Sequence, residues 1–256
     1  MACMLGARFV FAGTPSGITR APEGGAHQST ITPGLGITLP NLHAYEPCFA
    51  LETEWMLLEA LRQCCERAHG TSTYLRLSTR LVDQRLLQPA LERFGEETLR
   101  RNTLLGGYRL LEGTAECAHP EPGYAVYLVG AGAVLPEVVA AAQLLQQEGI
   151  AATVLNLTSA DRLYHGWRTS TRDDHQLARL VPPVDRHVPI VTVQDGASHT
   201  LAWLGSVYGA PLRSIGVDEF GQSGTRADLY QHFGLATDQI ADVAFTLVEQ
   251  VIESKA

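Results

Sequence analysis

Short apolar runs alternate with helical periodicities over the second half of this chain, and that alternation predicts its architecture. Residues 124–129 (YAVYLV) and 152–157 (ATVLNL) are apolar stretches rich in β-branched and aromatic side chains, as buried strands require. Between them Gly130–Gly132 make a turn, and Pro136 sits early in a helix, where its missing N–H costs nothing. Val138, Ala142 and Leu145 line one face of that helix, and Gly149 ends it. Strand, helix, strand in this order is a βαβ unit, which implies parallel strands and a right-handed crossover. VPIVTVQD at 188–195 adds a buried strand and SIGVDEF at 214–220 a short one. Ile240, Ala244, Leu247 and Val251 mark a closing helix whose acids lie early and whose Lys255 lies late.

The first half is less regular. ARFVFA at 7–12 reads as a short buried strand. Residues 13–49 are rich in Gly, Pro, Ser and Thr, but Ile31, Leu35, Leu39, Tyr45 and Phe49 punctuate them, which favours an ordered binding loop over a linker. Leu51, Trp55, Leu58, Leu61 and Cys65 recur at spacings of three and four and predict an amphipathic helix with Glu52, Glu54, Glu59 and Arg62 on its solvent side. TYLRLS at 73–78 alternates as a strand. The charged stretch that follows reads as a linker, with a helical turn near Pro89–Phe94. The expected organisation is a first unit over 1–84, a linker over 85–103 and a compact α/β domain over 104–256.

Composition narrows the function classes. A formal charge of −8 argues against general nucleic-acid binding, which needs clustered Lys and Arg. No apolar run reaches the ~20 residues that cross a bilayer. MACMLGARFVFAG is apolar, but Arg8 interrupts it and no basic residue precedes it, so it does not read as a signal peptide. Cys3, Cys48, Cys64, Cys65 and Cys117 form no CxxC pair, which argues against a zinc site. They are expected to be reduced thiols of a cytoplasmic protein.

Several motifs have ordinary explanations. The Gly130-Ala131-Gly132-Ala133 turn lacks the third glycine of a dinucleotide fingerprint, where Leu135 stands, and the next strand ends without an acid. Ser198 and His199 near Asp195 could suggest a hydrolase, but no GxSxG elbow is present. Asp173, Asp174 and His175 are too close in sequence to converge readily on one ion and read as a solvated turn. The run APEGGAHQS at 21–29 is different. Its glycines let backbone approach a ligand closely, and a histidine beside such a turn can move protons near neutral pH.

Residues 22–29 (PEGGAHQS) resemble the transketolase motif EDGPTHQP, and PNLHAYEP at 40–47 resembles the transketolase run PNIQVWRP at a similar spacing. GVDEFGQSGTRADLYQHFGL at 216–235 resembles the GxDxFGxSxxRxxLxxHF run of the homodimeric-type pyruvate dehydrogenase component. VYLVGAGAVLPEVVAAAQLL resembles the C-terminal domain shared by transketolases and 2-oxo acid dehydrogenases. The resemblance implies an α/β chain in which 1–84 are the C-terminal part of a thiamine-diphosphate pyrimidine-binding domain. Residues 104–256 would then be a transketolase C-terminal-like domain with a mostly parallel sheet.

The same resemblance implies a site. His27 matches the histidine that faces substrate oxygens, where it can donate to a developing alkoxide and take the proton back. Glu23 takes the place of an aspartate that reads a substrate hydroxyl, and Gly24 and Gly25 are expected to let backbone pass close to the cofactor. Pro15 stands where transketolases carry a phosphate-binding histidine, which favours a 2-oxo acid or an unphosphorylated ketose. Arg76 or Arg80 falls near another phosphate-binding arginine, and the resemblance does not choose between them. The activating glutamate, the aromatics that stack on the aminopyrimidine and the GDG…N motif that holds diphosphate and Mg²⁺ have no counterpart in this sequence.

The expectation is therefore one subunit of a split thiamine-diphosphate enzyme. A partner chain would supply the diphosphate-binding domain and the activating glutamate, and would hold most of the thiamine diphosphate and Mg²⁺. The expected reaction is decarboxylation of a 2-oxo acid with acyl transfer to a lipoyl group, which adds a lipoyl-bearing acyltransferase as a second partner. The alternatives are transketolase-like two-carbon ketol transfer, a non-catalytic assembly or regulatory subunit, and a catalytically dead fragment. Taken alone, the chain should expose the edge and apolar face of residues 7–12 and 73–78 and associate through them.

Overall fold

The computed structural model describes Cys3 and residues 6–14, 17–113, 124–171 and 174–254, so Pro15, Cys117, Asp173 and Lys255 lie outside the described residues. In chain order the elements are β1 (Val10–Gly13), α1 (Leu35–Thr38), β2 (Leu42–Tyr45), α2 (Ala50–Cys65), β3 (Ser72–Arg76), α3 (Gln88–Phe94), α4 (Glu96–Leu104), β4 (Gly107–Leu111), β5 (Ala125–Gly130), α5 (Leu135–Gln147), β6 (Ala151–Leu157), α6 (Ala160–Thr169), α7 (Gln176–Leu180), β7 (Ile190–Val193), α8 (Leu204–Tyr208), β8 (Leu212–Ile215), α9 (Arg226–His232) and α10 (Thr237–Glu253). Short 3₁₀ turns join several of them.

The chain is α/β with two sheets. The first is parallel, in the order β1-β3-β2, with Val10 opposite Thr73 and Leu42 opposite Ser72. The second runs β4-β6-β5-β7-β8, parallel except for the edge strand β4, which is antiparallel to β6. The apolar runs form strands here because both faces of this sheet are covered. Val126 and Leu128 of β5 point to the side of α5 and α10, and Tyr127 and Val129 to the side of α6 and α7.

Three sequence expectations change in the folded chain. β3 is not half exposed: all its residues are buried, because it is the central strand, with Leu75 against Met56 of α2 and Tyr74 stacked on Phe11. Helix α2 forms as expected but turns a different face inward. Glu52, Trp55, Met56, Ala60 and Gln63 are buried, whereas Leu58 and Leu61 are 48% and 50% exposed. Glu52 goes inside because four donors converge on it: Cys48 N–H (2.8 Å), Phe49 N–H (3.0 Å), Tyr108 O–H (2.7 Å) and Asn156 Nδ2 (2.7 Å). Residues 85–103, expected as a linker, are mostly helical, and Ala90 and Leu99 are buried in the same core as Phe49, Trp55 and Val126.

The two sheets meet at the carboxyl ends of their strands. Arg76 closes β3 and Glu46 follows β2; Thr158 follows β6, and Gln194 and Asp195 follow β7. Glu46 N–H donates to Thr158 O at 2.9 Å, and Gln194 Nε2 donates to Glu46 Oε2 at 3.1 Å. Carboxyl ends of parallel strands are where α/β proteins place their ligand-binding loops.

Candidate active site

Residues 17–30 cross this junction and carry His27. Gly17–Glu23 and Gly25–His27 are 3₁₀ turns separated by Gly24, whose φ of +93° favours a glycine. His27 N–H donates to Gly24 O and Gln28 N–H to Gly25 O, each at 3.1 Å, which fixes the backbone around the imidazole. The imidazole itself is exposed.

The two glycines do permit a close backbone approach, but to the chain's own 221–223 loop. A Cβ on Gly25 would stand 1.8 Å from Gly221 O, and one on Gly24 would stand 2.9 Å from Ser223 Oγ. Gln28, which the sequence reading did not single out, is buried and locks the same loop. Its Nε2 donates to Gln222 O at 2.7 Å, and its Oε1 accepts from Gln222 N–H at 3.1 Å. The only sequence cue to Gln28 was its place beside His27. Glu23 is exposed and ion-paired with Arg20.

The two candidate arginines are committed to internal partners. Arg76 is 4% exposed; it pairs with Glu46, and donates to Thr32 Oγ1 at 3.1 Å and to Asp195 O at 2.5 Å. The cavity beside it holds about 20 Å³, bounded by Tyr45, Glu46, Tyr74, Thr158 and Gln194, which is room for one water. Arg80 donates to Glu137 at 2.6 Å and to Ala133 O at 2.5 Å, with its guanidinium 5.7 Å from the Tyr230 ring centre. Each guanidinium neutralises a partly buried carboxylate, Arg76 that of Glu46 and Arg80 that of Glu137. Arg76 does touch the site indirectly, since Asp195 also accepts from Ile18 N–H at 2.7 Å. Burial pushes the Asp195 carboxyl up to about 6, against the pull of Arg76.

The other motifs resolve simply. Asp195 is turned to Ile18, away from any triad with Ser198 and His199, and Ser198 N–H is held by Asp218 at 2.9 Å. Gly132 has φ +57°, and Glu46 Cγ lies 2.6 Å from where its Cβ would be, so the glycine turn makes room for that glutamate. His175 caps α7, accepting from Ala178 N–H at 3.3 Å. Among the described residues no cluster of three or more His, Cys, Asp or Glu could hold a metal ion, and no helix is long and apolar enough to cross a membrane. Cys3, Cys48, Cys64 and Cys65 are free thiols.

Residues 106–236 match the family model described as the transketolase-like TK C-terminal domain. The plasmid transketolase of Cupriavidus necator is 28% identical over 250 residues, covering 97% of this chain and 32% of the relative. The pyruvate dehydrogenase E1 component of Pseudomonas aeruginosa is 31% identical over 156 residues, 60% of this chain and 16% of the relative. Among solved structures, transketolase from Leishmania mexicana superposes with TM-score 0.71 at 18% identity, over 98% of this chain and 32% of that one. A split-gene transketolase described as an inactive β4 tetramer superposes with TM-score 0.62 at 21% identity, over 95% of this chain and 67% of that one. The chain thus spans about a third of the length of the Cupriavidus necator transketolases it matches.

Proposed function

The chain belongs to the transketolase-like TK C-terminal domain family, and from that premise we propose that it is one subunit of a split thiamine-diphosphate enzyme, contributing His27 to a site shared with another chain. The observation that carries this reading is the exposed imidazole on a rigid, glycine-built turn. A side chain presented in this way fits the reacting end of a cofactor that a partner holds. On this reading the partner holds the diphosphate and its Mg²⁺.

Thiamine diphosphate, when bound, supplies stabilisation of a carbanion equivalent on the substrate carbon. This chain's part is to orient the substrate and to move a proton. The His27 imidazole donates to the oxygen that gains charge and recovers the proton as the product leaves, a role worth roughly 10²–10⁴ in rate. Glu23, which ends the preceding turn and is steadied by Arg20, would accept from a substrate hydroxyl.

Two-carbon ketol transfer is the preferred reaction, because over nearly the whole chain the Cupriavidus necator transketolases are 28% and 29% identical, against 25% for a pyruvate dehydrogenase component of similar coverage. Decarboxylation of a 2-oxo acid with acyl transfer to a lipoyl group is the second reading. The 216–235 run and the 31% identity to a pyruvate dehydrogenase component favour it. Calorimetry with thiamine diphosphate and Mg²⁺, on the chain alone and mixed with the protein encoded beside its gene, tests the shared site. Binding in the mixture only is expected; no binding in either case removes the proposal. In the assembled enzyme His27→Ala should lower kcat by roughly 10²–10⁴, and an unchanged rate would leave the chain an assembly subunit.

A further inference from the structure

The segment bearing His27 is held by loops of the five-stranded sheet at several points, one of them the Gly224 N–H, which donates to Ala21 O at 3.3 Å. At its start Gly17 has φ +64°, and a Cβ there would lie 2.4 Å from Asp195 Oδ1, the oxygen that accepts from Ile18 N–H at 2.7 Å. Asp195 is wholly buried and its other carboxyl oxygen has no partner, so the side chain's one hydrogen bond goes to this backbone N–H. Beyond the turn, Ala197 N–H donates to Thr30 O at 2.8 Å. Between these points Gln28 exchanges two hydrogen bonds with the backbone of Gln222. The Gln222 loop is itself tied to the segment after β7, because Val217 N–H donates to Gly196 O at 2.6 Å. The charged groups around Asp195 are Arg76, Glu46 and Arg80; Arg76 and Arg80 are paired with other carboxylates.

We propose that Asp195 and Gln28 are positioning residues for His27: through Ile18 N–H and the Gln222 backbone they let loops of the C-terminal sheet set where the imidazole stands. The inference rests on the reading of His27 as the acid–base group. It also gives a use to the GVDEFGQS run, whose Gly221 is needed because a Cβ there would stand 2.2 Å from Gln28 Oε1. Ile18 and Ala21 are also buried in the main core, so each lost anchor should loosen the turn locally without unfolding the sheet.

Amide hydrogen exchange and the ring signals of His27, followed by NMR on the full chain, test this. Asp195→Ala should speed exchange at Ile18 by roughly tenfold or more, the scale for a buried N–H that loses its acceptor. It should also change the His27 ring signals, while amides of β7 (Ile190–Val193) keep their protection. Asp195→Asn, which retains an acceptor, should restore both. Gln28→Glu, which loses the donor to Gln222 O, should speed exchange at Gln222 and change the same ring signals; it carries the test if Asp195→Ala does not fold. Unchanged His27 signals in the variants that fold, or a loss of β7 protection as large as that at Ile18, would overturn the proposal. Because the readout needs neither cofactor nor turnover, its failure is separate from that of the catalytic reading, which His27→Ala decides.

Discussion

Two buried titratable groups act in opposite directions on stability. Asp195 titrates near 6 because burial disfavours its charge, against 3.8 for an ordinary aspartate. Its folded value is raised, so its contribution is complete below pH ~4 and is lost as pH climbs through 6, about 3 kcal/mol in all. His43 is held down to about 4 by burial and by the nearby Arg162, against 6.5 for an ordinary histidine. Its folded value is depressed, so its contribution is present above pH 6.5 and is lost as pH falls toward 4, again about 3 kcal/mol. The two largely offset each other between pH 4 and 6.5. Asp195→Asn should therefore steepen the acid loss of stability, and His43→Gln should reverse its slope, measured as urea midpoints at pH 4.5 and 6.5. Identical slopes in wild type and Asp195→Asn would refute this account of Asp195.

At the level of elements, one carboxylate joins helix α2 to the five-stranded sheet. Glu52 sits in the first turn of α2, caps the N–H groups of Cys48 and Phe49, and accepts from Tyr108 on β4 and Asn156 on β6. Burial raises its pKa while those four donors lower it. Glu52→Ala should cost roughly 3–5 kcal/mol in denaturant unfolding, since it strands several buried donors. Glu52→Gln, which keeps an acceptor and the volume, should cost roughly 1–2 kcal/mol. A loss below 1 kcal/mol for Glu52→Ala would mean that these donors find other acceptors. Spacing alone placed Glu52 on the solvent side, because helical periodicity counts apolar residues and has no means of recording a polar core. The same blindness left Leu58 and Leu61 on the buried face, where the folded helix instead exposes them.

For the whole molecule, those leucines join Leu57 on one exposed stripe of α2, and β1 is an edge strand with Phe11 57% exposed. The expected edge at 73–78 is not available, since β3 lies in the middle of its sheet. Self-association of the isolated chain is therefore expected through α2 and β1. Light scattering should show mass rising with concentration, and a Leu58→Glu, Leu61→Glu variant should hold it near 27.7 kDa. A monomer at all concentrations in the parent chain would argue against an uncovered partner surface.

Local pattern by itself determined the βαβ unit around Gly130–Gly132, the strand at 188–195, the closing helix and the glycine-flanked histidine. Each of these is written in near-neighbour spacing: period, turn residues and caps. Tertiary structure alone decided that Arg76 and Arg80 are internal, that Glu52 is a core acceptor, that 85–103 is mostly packed helix, and that Asp195 meets Ile18 and Gln222 meets Gln28. The reason is physical. These outcomes depend on which distant group compensates a buried charge or N–H; Asp195 and Ile18 are 177 residues apart in sequence and 2.7 Å apart in space.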